Sequence, residues 1–226
     1  MADDVETYFE KFFERLKPNF IEFANGFVDD PDAAIDEAAD TFAAMVPDMA
    51  YRDDRRHPMA ISVFGCCAQL AVYLALNKRG VDVHDYGRAM LVQMRRAMQS
   101  TPPQPEDAAS AQKGWDRFAA AAAKSRDAAP GEFVFEMVSR DGTDFNTGFN
   151  IKSCAICHAF SKYDAMTLVP YMCATDDVVS DRGDQGLERT GTIAVGAHQC
   201  DFRYKRGREP RHLADRYPDR IRIAQT

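Results

Sequence analysis

The residues able to do chemistry crowd into one quarter of the chain. Between Phe149 and Tyr204 stand four of the six cysteines: Cys154, Cys157, Cys173 and Cys200. His158 and His198 accompany them, and Asp176 lies three positions beyond Cys173. Two chemistries suit that set. Cys154-x2-Cys157, then 15 residues, then Cys173-x2-Asp176 follows the spacing of a zinc ribbon, with a carboxylate in the fourth place. His198 and Cys200 offer further ligands, and a zinc with three protein ligands and a water would be hydrolytic. Alternatively, a thiolate attacks an electrophilic carbon, its pKa lowered by a helix N-terminus or a nearby cation. Cys154 falls where a strand gives way to a helix, and Cys200 opens a strand beside the turn that holds His198. Asp176 or Asp201 would then protonate a leaving nitrogen or orient a water. Each residue also has an ordinary structural use. Cys157 and His158 can pack against a sheet, and Asp176-Asp177 can cap or end a helix.

The elements that must position these groups divide in type. Up to about residue 130 the pattern is helical. Tyr8, Phe9, Phe12, Phe13 and Leu16 form one apolar face, which Pro18 is expected to break. Asp30-Pro31 caps a helix that ends before Pro47. Met59–Leu76 carries 18 residues without a charge, the minimum for a membrane span. Its flanks are basic on both sides, so a central buried helix is the reading adopted, with Cys66 and Cys67 as core. Residues 82–99 and 106–126 predict two more helices, joined by a rigid Thr101–Pro105 linker.

After residue 130 the pattern alternates. Residues 132–140 and 145–152 predict two strands around an Asp141-Gly142 turn. Residues 154–174 predict a helix in one or two pieces, with Pro170 as a kink or break. Residues 187–195 and 200–205 predict two further strands. The fold class expected is α+β: a helical shell over 1–130 packed on an antiparallel sheet of three or four strands, with helices, over 131–206. Residues 207–226 are expected to be a solvated tail, and the whole to be one compact domain.

Composition narrows the function. An apolar share of 46% over 226 residues supports a real core. A net charge of −7 opposes a nucleic-acid surface, which needs clustered Lys and Arg. The start, Met-Ala-Asp-Asp, lacks the basic and apolar features of an export signal. The expected compartment is the cytoplasm, where structural disulfides are rare. No membrane partner is expected. A homo-oligomer is open, with Phe9, Phe12 and Phe13 able to supply an interface.

The pattern FN-x3-C, M-C-x2-D and R-T-x-T-I-x2-G-x3-CDFRY, over about residues 145–206, resembles the L-2-amino-thiazoline-4-carboxylic acid hydrolase family. It is carried by Phe149, Asn150, Cys154, Cys173, Asp176, Arg189, Thr190, Thr192, Gly196, Cys200, Asp201, Phe202 and Arg203. The family usually has Cys-Pro-Tyr where this chain has Cys154-Ala155-Ile156, followed by Cys157-His158. The resemblance implies a soluble hydrolase whose namesake opens the thiazoline ring to give N-carbamoyl-L-cysteine. Together with the residues above, it leads to an expected cysteine-dependent hydrolysis of a ring C–N bond in a small heterocyclic carboxylate. The expected catalytic set is Cys154, Cys173, Asp176, His198, Cys200 and Asp201. Asn150, Lys152, Arg189, Thr190 and Arg203 are expected to hold substrate, the three cations by pairing with its carboxylate. The cofactor is left open on this reading, zinc being the one the residues admit. The alternative is a zinc-holding ligand-binding module built on Cys154, Cys157, Cys173 and Asp176 or His198.

Overall fold

The structure is a computed structural model and describes residues 4–100, 108–138 and 145–222. Helix α1 spans Val5–Ala24 and begins where the Asp4 carboxylate accepts a hydrogen bond from the Thr7 backbone N–H at 2.8 Å. It runs unbroken through Pro18, against the expected break. Proline costs the helix a hydrogen bond, but packing outweighs that loss. Phe20 rests on Phe13, and Phe23 meets Tyr86 edge-on, so the second half of α1 is pinned on both sides of Pro18's turn. Helix α2, Pro31–Met45, starts at Asp30 with proline in its first turn.

Helix α3, Ala60–Asn77, is the uncharged stretch, and Val63, Phe64, Ala68, Leu70, Ala71 and Val72 are all buried within the protein. Among the described helices it alone is long and apolar enough to cross a membrane. A central helix surrounded by α1, α2 and α4 has the same composition, because every side of it must be apolar. Helices α4, Val83–Ser100, and α5, Ala108–Lys124, complete the helical half.

The second half is a four-stranded antiparallel sheet with helices. Strands β1 (Val134–Met137), β2 (Thr147–Ser153), β3 (Leu187–Glu188) and β4 (Cys200–Tyr204) stand in the order β1-β2-β4-β3. Helices α6 (Ala155–Ser161) and α7 (Val169–Arg182) lie between β2 and β3, and the short α8 (Leu213–Arg216) follows β4. The layout is α+β. The register pairs Phe149 with Phe202 and Ile151 with Cys200, and the two phenyl rings stack at 4.5 Å. Strand alternation sends these four side chains to one face of the sheet and Asn150, Lys152, Asp201 and Arg203 to the other.

Several expectations are corrected. Only Leu187–Glu188 of the expected 187–195 strand pairs in the sheet. Beyond it the chain turns away, because Arg189 points inward and Asp201 captures the backbone N–H groups of Thr190 and Gly191. Pro170 is no kink; it sits in the first turn of α7. Asp176 and Asp177 lie in mid-helix and neither cap nor end α7. In the C-terminal run Leu213 and Ile221 are buried, and Arg208 and Arg211 reach Glu188 at 3.0 and 2.9 Å. The Thr101–Pro105 linker and the Asp141-Gly142 turn lie outside the described residues.

Helices α4 and α7 meet at Gly87. A methyl group there would stand 2.4 Å from the Tyr171 ring, whose hydroxyl contacts His84 Nδ1 and accepts from the Arg222 N–H. Gly87→Ala is expected to destabilise the fold by about 1–3 kcal/mol, lowering Tm by roughly 2–10 °C in a thermal scan.

Candidate functional site

A cavity of about 1230 Å³ opens between the inner face of the sheet and helices α1, α3, α4 and α7. At its sheet end it is lined by Phe149, Ile151, Cys200, Phe202 and Tyr204 from β2 and β4. Cys154 joins them from the α6 N-terminus, as do Cys173 and Asp176 from α7, and Arg189. Cys173 and Asp176 are one turn apart on α7, so they share a helix face. Cys66 of α3 also lines the cavity. The reading of Cys66 and Cys67 as core thus holds only for Cys67: the half-buried Cys66 is cavity wall.

Arg189 is the hub of this end. It is 2% exposed. One nitrogen, Nη1, donates to Asp176 Oδ2 at 2.9 Å; the other, Nη2, donates to the Cys173 carbonyl at 2.6 Å and to Asp177 Oδ1 at 3.3 Å. Its guanidinium lies over the Phe202 ring at 4.6 Å. The remaining Nε is buried and has no hydrogen-bond partner among the described residues. Asp177 also accepts the Leu213 N–H at 2.8 Å, tying α8 to α7. Asp176 differs from Asp177 in keeping 45% of its side chain accessible. Protein still surrounds it, and burial lifts its pKa above the ordinary carboxylate value against the pull of Arg189.

The thiols form a hydrogen-bonded chain. Cys173 Sγ lies 3.4 Å from Thr192 Oγ1, and Thr192 Oγ1 lies 3.2 Å from Cys200 Sγ. The Ile193 N–H donates to Cys200 Sγ at 3.3 Å. Thr192 is fully buried, so its hydroxyl exchanges hydrogen bonds with protein groups. Cys154 caps α6, its sulfur accepting the Cys157 N–H at 3.4 Å. Burial pushes the Cys173 and Cys200 thiols up. Cys154 is raised by contact with the Cys157 thiol and by burial, and burial also raises Cys66. At neutral pH these sulfurs are thiols, so one that attacks must first give its proton to a neighbour. Thr192 and Ile193 both pull Cys200 towards the thiolate, and Arg189 attracts it too. Cys173 shares Thr192 and Arg189, and Cys154 has the Cys157 and Ile156 N–H groups; Cys200 adds the Ile193 N–H to Thr192 and Arg189.

The expected site residues divide. Cys154, Cys173, Asp176, Arg189 and Cys200 come together at the cavity. Asp201 faces away from it and serves the loop: it accepts from the Thr190 and Gly191 N–H groups at 2.9 and 2.7 Å and from the Thr190 hydroxyl. Thr190 is exposed, and its carbonyl accepts from the Tyr217 hydroxyl. Arg203 reaches Asn150 Oδ1 at 2.8 Å and the Phe149 and Phe202 carbonyls, and Asn150 donates to Glu136. Lys152 pairs with Glu136 at 2.9 Å. These contacts lie on the sheet's outer face. His198 is exposed in the loop before β4, outside the cavity lining. Thr192, the hydroxyl between the two sulfurs, was not among the expected site residues, although it stands in the motif eight positions before Cys200. For zinc, no three Cys, His, Asp or Glu side chains among the described residues are arranged to hold a metal ion. Cys157 is buried off the cavity, and His198 lies on the surface, so the expected ligands do not converge.

Comparison with known proteins adds one match. The family model for L-2-amino-thiazoline-4-carboxylic acid hydrolase matches residues 64–204, from within α3 to the end of β4. No curated protein and no solved structure matches the chain.

Replacing Arg189 would leave the Asp176 and Asp177 carboxylates without their shared cation. Both already titrate above the ordinary carboxylate value, and without the guanidinium they would rise further. An acid whose folded-state pKa is raised stabilises the fold at low pH, and that stability is lost as pH rises through the folded pKa. Arg189→Met is thus expected to lose about 3–5 kcal/mol near pH 8, and clearly less near pH 5, in urea unfolding.

Proposed function

The chain belongs to the L-2-amino-thiazoline-4-carboxylic acid hydrolase family, and from that premise we propose that it hydrolytically opens a cyclic amidine at the carbon between two heteroatoms. The observation that carries this reading is the chain Cys173–Thr192–Cys200 beside the Asp176–Arg189 pair on one cavity wall. Cys200 is the nucleophile of this proposal. Its sulfur bonds to the amidine carbon, and its proton passes by way of Thr192 and Cys173 towards the Asp176 carboxylate. The ring heteroatom then leaves, taking the proton back from Asp176. Water attacks the same carbon, displaces the sulfur as a thiol, and completes the hydrolysis. Arg189 does not touch the reacting atoms; it positions Asp176 and keeps its charge tolerable under burial.

Atom balance refines the bond expected to break. N-carbamoyl-L-cysteine keeps both nitrogens on the carbon that was attacked, so opening the namesake's ring breaks carbon–sulfur. In a ring whose two heteroatoms are nitrogen, the same steps break C–N.

Ring opening of a 2-amino-thiazoline liberates a thiol, which a colorimetric disulfide reagent reads directly. Cys200→Ala is expected to reduce kcat by at least about 10³-fold, and Asp176→Asn by roughly 10²–10⁴-fold. Because Asp176 acts first as a base, kcat/KM should rise with pH through its pKa. Burial places that limb above the usual carboxylate range. Asp176→Asn should remove the limb. Turnover that survives both substitutions would sink this reading.

A further inference from the structure

Resting on the reading above, we propose that the substrate is an amidine carrying a long apolar substituent and no carboxylate beside the amidine carbon. Two features of the cavity carry this.

The first is charge. The expected partners for a carboxylate were Arg189, Arg203 and Lys152. Arg203 and Lys152 lie on the outer face of the sheet, held by Asn150 and Glu136. Arg189 spends both terminal nitrogens on Asp176, Asp177 and the Cys173 carbonyl, and its Nε is closed off from the cavity. Arg96, the other arginine of the lining, is exposed on α4. The accessible carboxylate at the sheet end is that of Asp176. A carboxylate there would meet a carboxylate. An amidinium, planar and able to donate two parallel N–H bonds, meets the group it fits.

The second is shape. The cavity's volume, about 1230 Å³, exceeds the roughly 300–1,000 Å³ typical of pockets for drug-sized ligands. An aminothiazoline carboxylate would fill a small part of it. The remainder runs between α1, α3 and α4 and is walled by Phe20, Phe23, Phe27, Met59, Met90 and Met94. Phenyl and thioether side chains supply an adaptable apolar lining. Ile61, Val92 and Val179 of the same lining are 61, 43 and 42% exposed, the level of surface residues. Exposed aliphatic side chains continuous with an apolar channel suit an alkyl or aryl chain that runs outward from a head group at Asp176. Midway along α3, Gln69 has its Oε1 held by the Tyr86 hydroxyl, and the other polar residues of the channel include the exposed Asn19, Glu22, Ser62 and Arg96.

The test is calorimetric binding of octanamidine, acetamidine and octanoate to the full chain. Each buried methylene is worth about fourfold in affinity. Octanamidine is therefore expected to bind at least about 100-fold more tightly than acetamidine, and at least about tenfold more tightly than octanoate, which lacks the cation. Met94→Glu, in a half-buried position on the channel wall, should weaken octanamidine at least about tenfold while leaving acetamidine unchanged. Octanoate binding as well as octanamidine, acetamidine binding within tenfold of it, no binding at all, or an indifferent Met94→Glu would each overturn the proposal. Binding is read here without turnover. An octanamidine that binds as expected would leave this inference standing even if Cys200→Ala failed to abolish catalysis. A failure to bind would leave the catalytic reading to its own kinetic test.

Discussion

The buried guanidinium of Arg189 is the constraint on which the rest of this end of the protein depends. A charge taken out of water must be paired and hydrogen-bonded, or the fold fails. Here the pairing is shared among elements distant in sequence. Asp176, Asp177 and the Cys173 carbonyl come from α7, and the Phe202 ring comes from β4. Satisfying one side chain therefore fixes α7 against β4. It also sets Cys173 opposite Thr192 and Cys200, since each of those sulfurs sits on an element that Arg189 clamps. Asp177 extends the clamp to α8 through the Leu213 N–H. The desolvated charge is thus costly alone and specific in company.

The same burial sets the chemistry. A large apolar cavity raises the thiols that line it, so none is a ready-made thiolate. Reactivity must come from a local proton acceptor and from groups that stabilise sulfur charge as it develops. Thr192, the Ile193 N–H and Arg189 supply the second around Cys200. In the proposed reaction Asp176, whose carboxyl is held in the cavity while Asp177 is sealed, supplies the first. Adjacent carboxylates in one helix have thereby taken different tasks: one remains open to the cavity, and the other is structural.

Much of this was legible in the sequence, and the exceptions have physical causes. The helical period placed α1, α2, α4 and α5, the uncharged run placed α3, and alternation placed β1, β2 and β4. Residues 187–195 read as a strand because threonine, isoleucine and valine crowd LERTGTIAV. Composition does not show that the Asp201 carboxylate takes the Thr190 and Gly191 N–H groups, which ends the pairing after Glu188. Pro18 reads as a break because the packing of Phe20 and Phe23 is invisible locally. Cys66 reads as core because a cavity wall and a core have the same composition. For the site, spacing alone grouped Asp201 with Cys200. The two-residue period of a strand puts them on opposite faces, and in β4 it does. Thr192 escaped because a threonine gains a role only when two sulfurs are known to flank it.

The central claim is that Cys200, at the Asp176 end of the cavity, is the attacking sulfur. An alkyl chloroacetamidine combines an amidinium, an apolar chain and a carbon that a sulfur can alkylate. Incubated with the protein near neutral pH and followed by peptide mass mapping, it should modify Cys200 well ahead of the other five cysteines. That preference should collapse in Asp176→Asn. Labelling that falls first on Cys154, Cys173 or Cys66, or that spreads evenly over the thiols, would contradict the account.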